Sequence, residues 1–249
     1  MEVTFIGVGE AFEPQLGNSS YLIQSESCLL VDCGYAVPAN LFSTTDDPNV
    51  IDAIYITHFH ADHTFGIPAV LNRWNEDDRE KPLAIIGQHG VQKYLNEIID
   101  LGYSSCRKRL KYEVRYIETV EDCVFNEWNF SFAKTDHGKS NYAIRITEGN
   151  VSLGISGDGG LTDDTRSLFQ PCQYLIHEAF GFEEAMKGHT TAREVIEYAH
   201  TMPELKLLAL VHLQRDERIS RTTDYQKINE SETFEVTIPS PGDVITLAG

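Results

Sequence analysis

Residues His58, His60, Asp62 and His63 fall within the single run His58-Phe-His-Ala-Asp-His63 of a 249-residue chain. Imidazoles at i and i+2 on an extended loop point the same way and can share one cation, while the Asp-His pair that follows can turn to a second cation nearby. Such a concentration of ligand-type side chains fits a metal site better than a polar strand end on the surface. The run cannot complete two coordination spheres, so further ligands are expected at other strand ends. His137 in Thr135-Asp-His-Gly138, Asp158 in Ser156-Gly-Asp-Gly-Gly160 and His212 in Leu210-Val-His-Leu213 each follow an apolar stretch where a loop should begin. Taken singly, each reads as easily as a satisfied turn residue. Zinc suits such imidazole and carboxylate donors, and manganese or iron accepts the same set.

The elements that must position these residues can be read from local patterns. Val3 to Ile6, Ser20 to Ile23 and Cys28 to Asp32 read as strands separated by turns at Gly7, Gly9, Gly17 and Asn18. A further β-rich run, Ile51 to Thr57, ends directly before His58, which places the cluster at a strand's carboxyl end. The pattern predicts a helix from Asp62 to about Asn72, and a second amphipathic helix carrying Val91, Leu95, Ile98 and Ile99. Val114 to Ile117, Asn129 to Ala133, Tyr142 to Ile146 and Val151 to Ile155 predict another group of strands, read as a second sheet. Leu175 to His177 and Leu207 to His212, separated by a helix from Thr191 to about His200, predict a β-α-β connection. Strand-rich halves followed by helices imply two sheets packed face to face with helices outside.

Composition narrows the function classes. With 41% apolar and 23% charged residues the chain suits a compact α/β domain, and no linker-like segment divides it, so one domain over 1–249 is expected. The formal charge of −18 argues against an extended nucleic-acid surface, since that affinity comes largely from Lys and Arg contacts to phosphates. Divalent cations would invert the local field, so a small anionic substrate remains compatible. Cys28, Cys33, Cys106, Cys123 and Cys172 are odd in number and form no C-x-x-C pair, which suggests neither a disulfide framework nor a thiolate metal cage. The amino terminus does not read as a secretory signal and no run approaches the roughly 18 apolar residues of a membrane span, so a cytoplasmic protein is expected.

The order of the ligand candidates resembles the metallo-β-lactamase superfamily, whose motifs are an Asp after an early strand, H-x-H-x-D-H, a His, an Asp and a final His. Here those positions are Asp32, the run from His58 to His63, His137, Asp158 and His212. The resemblance implies a four-layer αβ/βα sandwich and two divalent metals. His58, His60 and His137 would hold one metal and Asp62, His63 and His212 the other, with Asp158 bridging and Asp32 orienting a ligand from behind.

A narrower likeness is to ribonuclease Z and related phosphodiesterases. Tyr174-Leu-Ile-His-Glu178-Ala-Phe180 and Gly188-His189-Thr-Thr-Ala192 are similar to that group's H-E-A-T and H-S-T motifs, with Phe180 in place of the threonine. The likeness implies that Glu178 supports His189, which protonates the leaving oxygen, so Asp62, Glu178 and His189 are the expected catalytic residues. The opposing reading gives Glu178 and His189 capping and turn roles near Thr190 and Thr191. No Gly/Pro-rich arm of the kind that grips transfer RNA is evident between the second and third motifs. The expected activity is therefore hydrolysis of a small phosphodiester by a hydroxide shared between two metals. Hydrolysis of a carboxylic ester, lactone, thioester or β-lactam, tRNA 3′ processing, and iron-dependent oxidoreduction are the alternatives. A homodimer is possible by the same resemblance. Arg107 to Arg115 offers a substrate-phosphate contact, although cation enrichment beyond a helix end is the preferred reading of that segment.

Overall fold

Alternating side chains that are apolar on both faces decide the architecture. In Cys28-Leu-Leu-Val31, Leu29 and Val31 join one buried cluster while Cys28 and Leu30 join another. A strand of this kind must be covered on both sides. The computed structural model describes residues 1–221, 223–224 and 234–249. It shows two seven-stranded sheets.

The first sheet begins with β1 (Glu2–Gly7), β2 (Ser20–Gln24) and β3 (Cys28–Val31), paired antiparallel as a meander. It continues in parallel through β4 (Ala53–Ile56), β5 (Leu83–Gly87) and β6 (Val114–Glu118). The second sheet runs antiparallel through β7 (Cys123–Phe125), β8 (Trp128–Lys134), β9 (Tyr142–Glu148) and β10 (Val151–Ile155). Parallel pairing then adds β11 (Tyr174–Glu178), β12 (Leu207–Val211) and β13 (Glu235–Thr237). The final strand, β14 (Val244–Thr246), returns to the first sheet and pairs antiparallel with β1.

Phe5, Ile23, Val31, Tyr55 and Ile86 from the first sheet meet Trp128, Phe130, Ile144, Leu153 and Ile176 from the second in one central core. Full burial of each such side chain contributes roughly 1.5–3 kcal/mol relative to exposure. Outside the first sheet lie α1 (Val37–Thr44), α3 (Ile67–Glu76) and α4 (Val91–Gly102), whose Leu41, Leu71 and Leu95 share a cluster with Leu30 and Ile54. Outside the second lie α6 (Asp163–Phe169) and α7 (Ala192–Ala199), with Leu168, Val195 and Ile196 against Leu175 and Leu208. The expected sandwich with outer helices is what the chain forms. Shorter helices α2 (Ala61–Thr64), α5 (Cys106–Arg109) and α8 (Arg215–Ser220) sit in the connections. Among the described residues, no helix is long and apolar enough to cross a membrane.

Two expectations require correction. The helix predicted from Asp62 to Asn72 is divided into α2 and α3, because Pro68 occupies the first turn of α3. A proline inside a continuous helix would remove a hydrogen bond and clash with the preceding turn, whereas the first turn accepts it. The strand at Val114 to Ile117 lies in the first sheet, parallel to β5, with Leu83 opposite Val114. The sequence reading lacked β5, whose continuous apolar run carries no period that separates a buried strand from a buried helix.

Candidate metal centre and acid pair

Strand ends gather the site. His58 follows β4, His137 follows β8, Asp158 follows β10 and His212 follows β12, and β11 ends on Glu178. Parallel strands present their carboxyl ends on one edge, the usual place for ligands in α/β sheets. Two residues there adopt left-handed backbone, Asp32 at φ 57° and His212 at φ 55°. His212 is anchored by its N–H, which donates to Val8 O at 2.9 Å.

The seven ligand candidates converge as two sets with a shared carboxylate, and Glu178 and His189 form a third group with His212 of the second set. In the first, His60 Nδ1 lies 3.0 Å from His58 Nε2 and 3.2 Å from His137 Nε2. Asp158 Oδ2 lies 3.8 Å from His58 Nε2 and 4.0 Å from His137 Nε2. In the second, His63 Nε2 lies 3.3 Å from Asp62 Oδ2 and 3.4 Å from Asp158 Oδ1. His212 Nε2 lies 3.8 Å from Asp62 Oδ2 and 3.4 Å from Asp158 Oδ2. Metal–ligand bonds near 2.1 Å in tetrahedral geometry put donors about 3.4 Å apart, so the spacing suits a divalent cation in each set. Orphaned polar atoms agree. Among the described residues, His63 Nε2 and both ring nitrogens of His212 are buried without hydrogen-bond partners, an arrangement that is costly unless something binds there.

The electrostatics also call for positive charge. Burial pushes the Asp62 carboxyl up, but the neighbouring His212 and His63 outweigh it and hold Asp62 well below the usual carboxylate range. Burial opposes a charged His212, yet the Asp158 and Asp62 carboxylates raise it to about 9. His63 is likewise held well above the ordinary value, because Asp158 and Asp32 overcome its burial. His58, by contrast, is pushed well down by burial and the adjacent His63, so its imidazole stays neutral and available as a ligand.

Behind the donors lies a layer of orienting groups. Asp32 Oδ2 accepts from His63 Nδ1 at 2.7 Å and from Thr57 Oγ1 at 2.7 Å, and Oδ1 accepts from the Thr57 N–H at 2.8 Å. Asn141 Oδ1 accepts from the Asp158 N–H at 3.2 Å, and Thr135 Oγ1 donates to Asp158 O at 2.6 Å. His137 Nδ1 donates to Gly188 O at 2.7 Å. The sequence reading placed Asp32 but missed Thr57, Thr135, Asn141 and the Gly188 carbonyl. Nothing in their local sequence marks them, because their role comes from contacts across the fold.

The Glu178–His189 pair forms. His189 Nδ1 donates to Glu178 Oε1 at 2.9 Å. Glu178 is fully buried, and it also accepts from the Gly159 N–H at 2.7 Å and the Phe180 N–H at 3.0 Å. Burial disfavours the His189 imidazolium, but the hydrogen bond and charge of Glu178 overcome this and raise its pKa. Capping of α7 falls to another residue, with Thr191 Oγ1 accepting from the Glu194 N–H.

His60, Asp62, His137, Asp158, His189 and His212 all line one cavity of about 610 Å³, a size that suits a small ligand. None of the cations between Arg107 and Arg115 lines it. Arg107 instead pairs with Asp100, Lys111 with Asp78 and Arg115 with Glu113.

The comparisons agree with this architecture. A ribonuclease Z of Anoxybacillus flavithermus is 31% identical over 175 residues, 68% of this chain and 53% of that protein. The chain spans about half the length of the curated relatives it matches. The short form of human tRNase Z superposes with a TM-score of 0.79 at 24% identity, covering 99% of each chain. The metallo-β-lactamase fold protein YhfI of Bacillus subtilis superposes with a TM-score of 0.77 at 24% identity, covering 98% of each. The fold is thus the metallo-β-lactamase fold, close to the ribonuclease Z and phosphodiesterase branch. Within it, residues 1–234 match the family model described as anti-Pycsar protein Apyc1, and the chain belongs to that family.

Proposed function

We propose that the protein is a metal-dependent phosphodiesterase acting on a small diester. The observation that carries this reading is the 2.9 Å contact between His189 Nδ1 and Glu178 Oε1 beside the two donor sets. His58, His60 and His137 would hold one cation, Asp62, His63 and His212 the other, and Asp158 both. Bound divalent cations supply Lewis-acid polarisation and an acidified water. Zinc suits this donor set best.

The chain's own residues account for the rest. Glu178 occupies Nδ1 of His189, so the proton for the leaving oxygen is carried on the other ring nitrogen. An alkoxide leaving from phosphorus needs that proton, which favours diesters over activated carboxylic esters. Asp32 and the Gly188 carbonyl keep His63 and His137 in the tautomers that leave Nε2 free to bind metal.

Small substrates are favoured by the size of the cavity, whose rim carries Phe12 and Tyr35, both exposed. Aromatic faces of this kind stack a planar substituent such as a nucleobase. The net charge of −18 weighs against a long polyanion, although matched relatives are ribonucleases Z. The test is metal analysis of protein purified without chelators, followed by parallel assays. Bis(p-nitrophenyl) phosphate and small linear and cyclic diesters are set against ester, lactone and thioester panels and a tRNA precursor. Diester cleavage leading the panel is expected. Faster cleavage of a lactone or thioester overturns the reading, and efficient removal of a tRNA 3′ trailer at ordinary salt replaces it with tRNA processing.

A further inference from the structure

His189 fixes the position of more than a proton. Its ring stacks on Phe180 with centroids 4.8 Å apart and planes 29° from parallel, and meets His137 edge-on at 5.1 Å. Its backbone N–H donates to Met186 O at 3.0 Å, which closes a turn that brings Met186 to the same cavity. Phe180 also lines that cavity, and its backbone is pinned on both sides. Its N–H donates to Glu178 Oε2, and its carbonyl accepts from the Gln214 N–H at 2.9 Å. These contacts fix the backbone from which the ring reaches His189.

An oxygen that takes a proton from His189 must come within about 2.6–3.2 Å of it. The substituent carried by that oxygen therefore lies against the side chains around His189. Glu178 is buried and already accepts from Gly159, Phe180 and His189, and His137 and His212 face the shared carboxylate. Of the other side chains lining the cavity, the Phe180 ring stacks on His189 and the exposed Met186 belongs to the turn that carries it, so these two stand beside the proton donor. Both are apolar and polarisable, and Met adapts to planar partners. The geometry points to an apolar leaving-group subsite formed by Phe180 and Met186, which selects substrates whose leaving alcohol carries an apolar, planar group. The inference rests on the phosphodiesterase reading above for its reaction. In that reaction the bond from phosphorus to the leaving oxygen breaks and a bond to water oxygen forms. The proton given by His189 to the alcohol is balanced by one released from the water.

Methanol and benzyl alcohol have closely similar acidity, so methyl and benzyl esters of thymidine 5′-phosphate, assayed by release of thymidine 5′-phosphate, differ at the leaving group chiefly by one phenyl ring. The metal-loaded wild type is expected to favour the benzyl ester in kcat/KM by about ten-fold or more, the scale of a well-filled apolar pocket. Met186→Ser and Phe180→Thr should each lower the benzyl-to-methyl ratio at least about three-fold. A purely structural effect would slow both esters together and leave the ratio alone. A wild-type ratio near one, or a ratio untouched by both substitutions, overturns the subsite. Methyl and benzyl acetate carry the same alcohols. Benzyl preference among acetates with no diester cleavage would sink the phosphodiesterase reading and keep the subsite, and no turnover of either class overturns both.

Discussion

The Asp32 carboxylate receives the His63 Nδ1–H at 2.7 Å and so decides which nitrogen of that ring faces the second donor set. Asp32→Asn keeps the shape but removes a charged acceptor that also holds Thr57. Loss of such a partner typically weakens metal binding by about 10- to 100-fold. Competition against a chelator of known strength should show that loss for one ion of the pair, with the other held as in wild type. Equal weakening of both ions would mean that Asp32 shapes the whole loop instead.

Asp158 offers Oδ2 to His58, His137 and His212 and Oδ1 to His63. Protein replete with metal should therefore hold about two ions per chain. His60→Ala should remove chiefly the ion of its own set, while Asp158→Ala should remove both, since each set loses a donor. Elemental analysis of the purified variants checks this. Retention of both ions by Asp158→Ala would show that the carboxylate is not shared.

Much of this site was legible because its ligands are sequence-local or end recognisable strands. His58 to His63 occupy one run, and His212 ends the apolar stretch from Leu207 to Val211. The Glu178–His189 contact was legible only through motif likeness, since a separation of eleven positions fixes no distance. The two-sheet sandwich followed from strand-rich halves that are each followed by helices. Assignment of Val114 to Ile117 to the wrong sheet has a physical cause, because which strand pairs with which depends on non-local contacts. The supports from Thr57, Asn141 and Gly188 were illegible for the same reason, each meeting its partner through the folded chain.

Gly34 and Gly66 set how closely α2 sits against the loop after β3 that carries Asp32. A Cβ on Gly34 would lie 1.8 Å from Asp62 O, and one on Gly66 would lie 2.3 Å from Gly34 O. Both obstacles are backbone, so no rotamer change relieves them. Gly34→Ala should destabilise the fold by roughly 3 kcal/mol or more, among the larger single-site effects, and displace Asp62 from its set. Thermal unfolding and metal content should fall together. A melting temperature within a degree or two of wild type would show that the loop moves aside easily.

His189 separates phosphodiester from acyl chemistry, because it stands beside both donor sets without belonging to the pair proposed to hold metal. In diester cleavage a poor alkoxide leaving group needs a proton, so His189→Ala should slow it by roughly 10² to 10⁴ while metal content stays unchanged. Nitrophenolate leaves with little help, and its ester should lose much less. A companion variant must spare the other contacts of Glu178. Glu178 is fully buried and also accepts from the Gly159 and Phe180 N–H groups, so Glu178→Ala would strip acceptors from the loop that carries Asp158. Glu178→Gln retains the shape and one acceptor, and it removes the charge that favours the His189 imidazolium. It should reproduce the leaving-group dependence of His189→Ala in a milder form. If His189→Ala loses metal, or slows alkoxide and nitrophenolate substrates equally, His189 positions the site or the substrate without donating the proton. The preference for phosphate over acyl substrates then loses its main support.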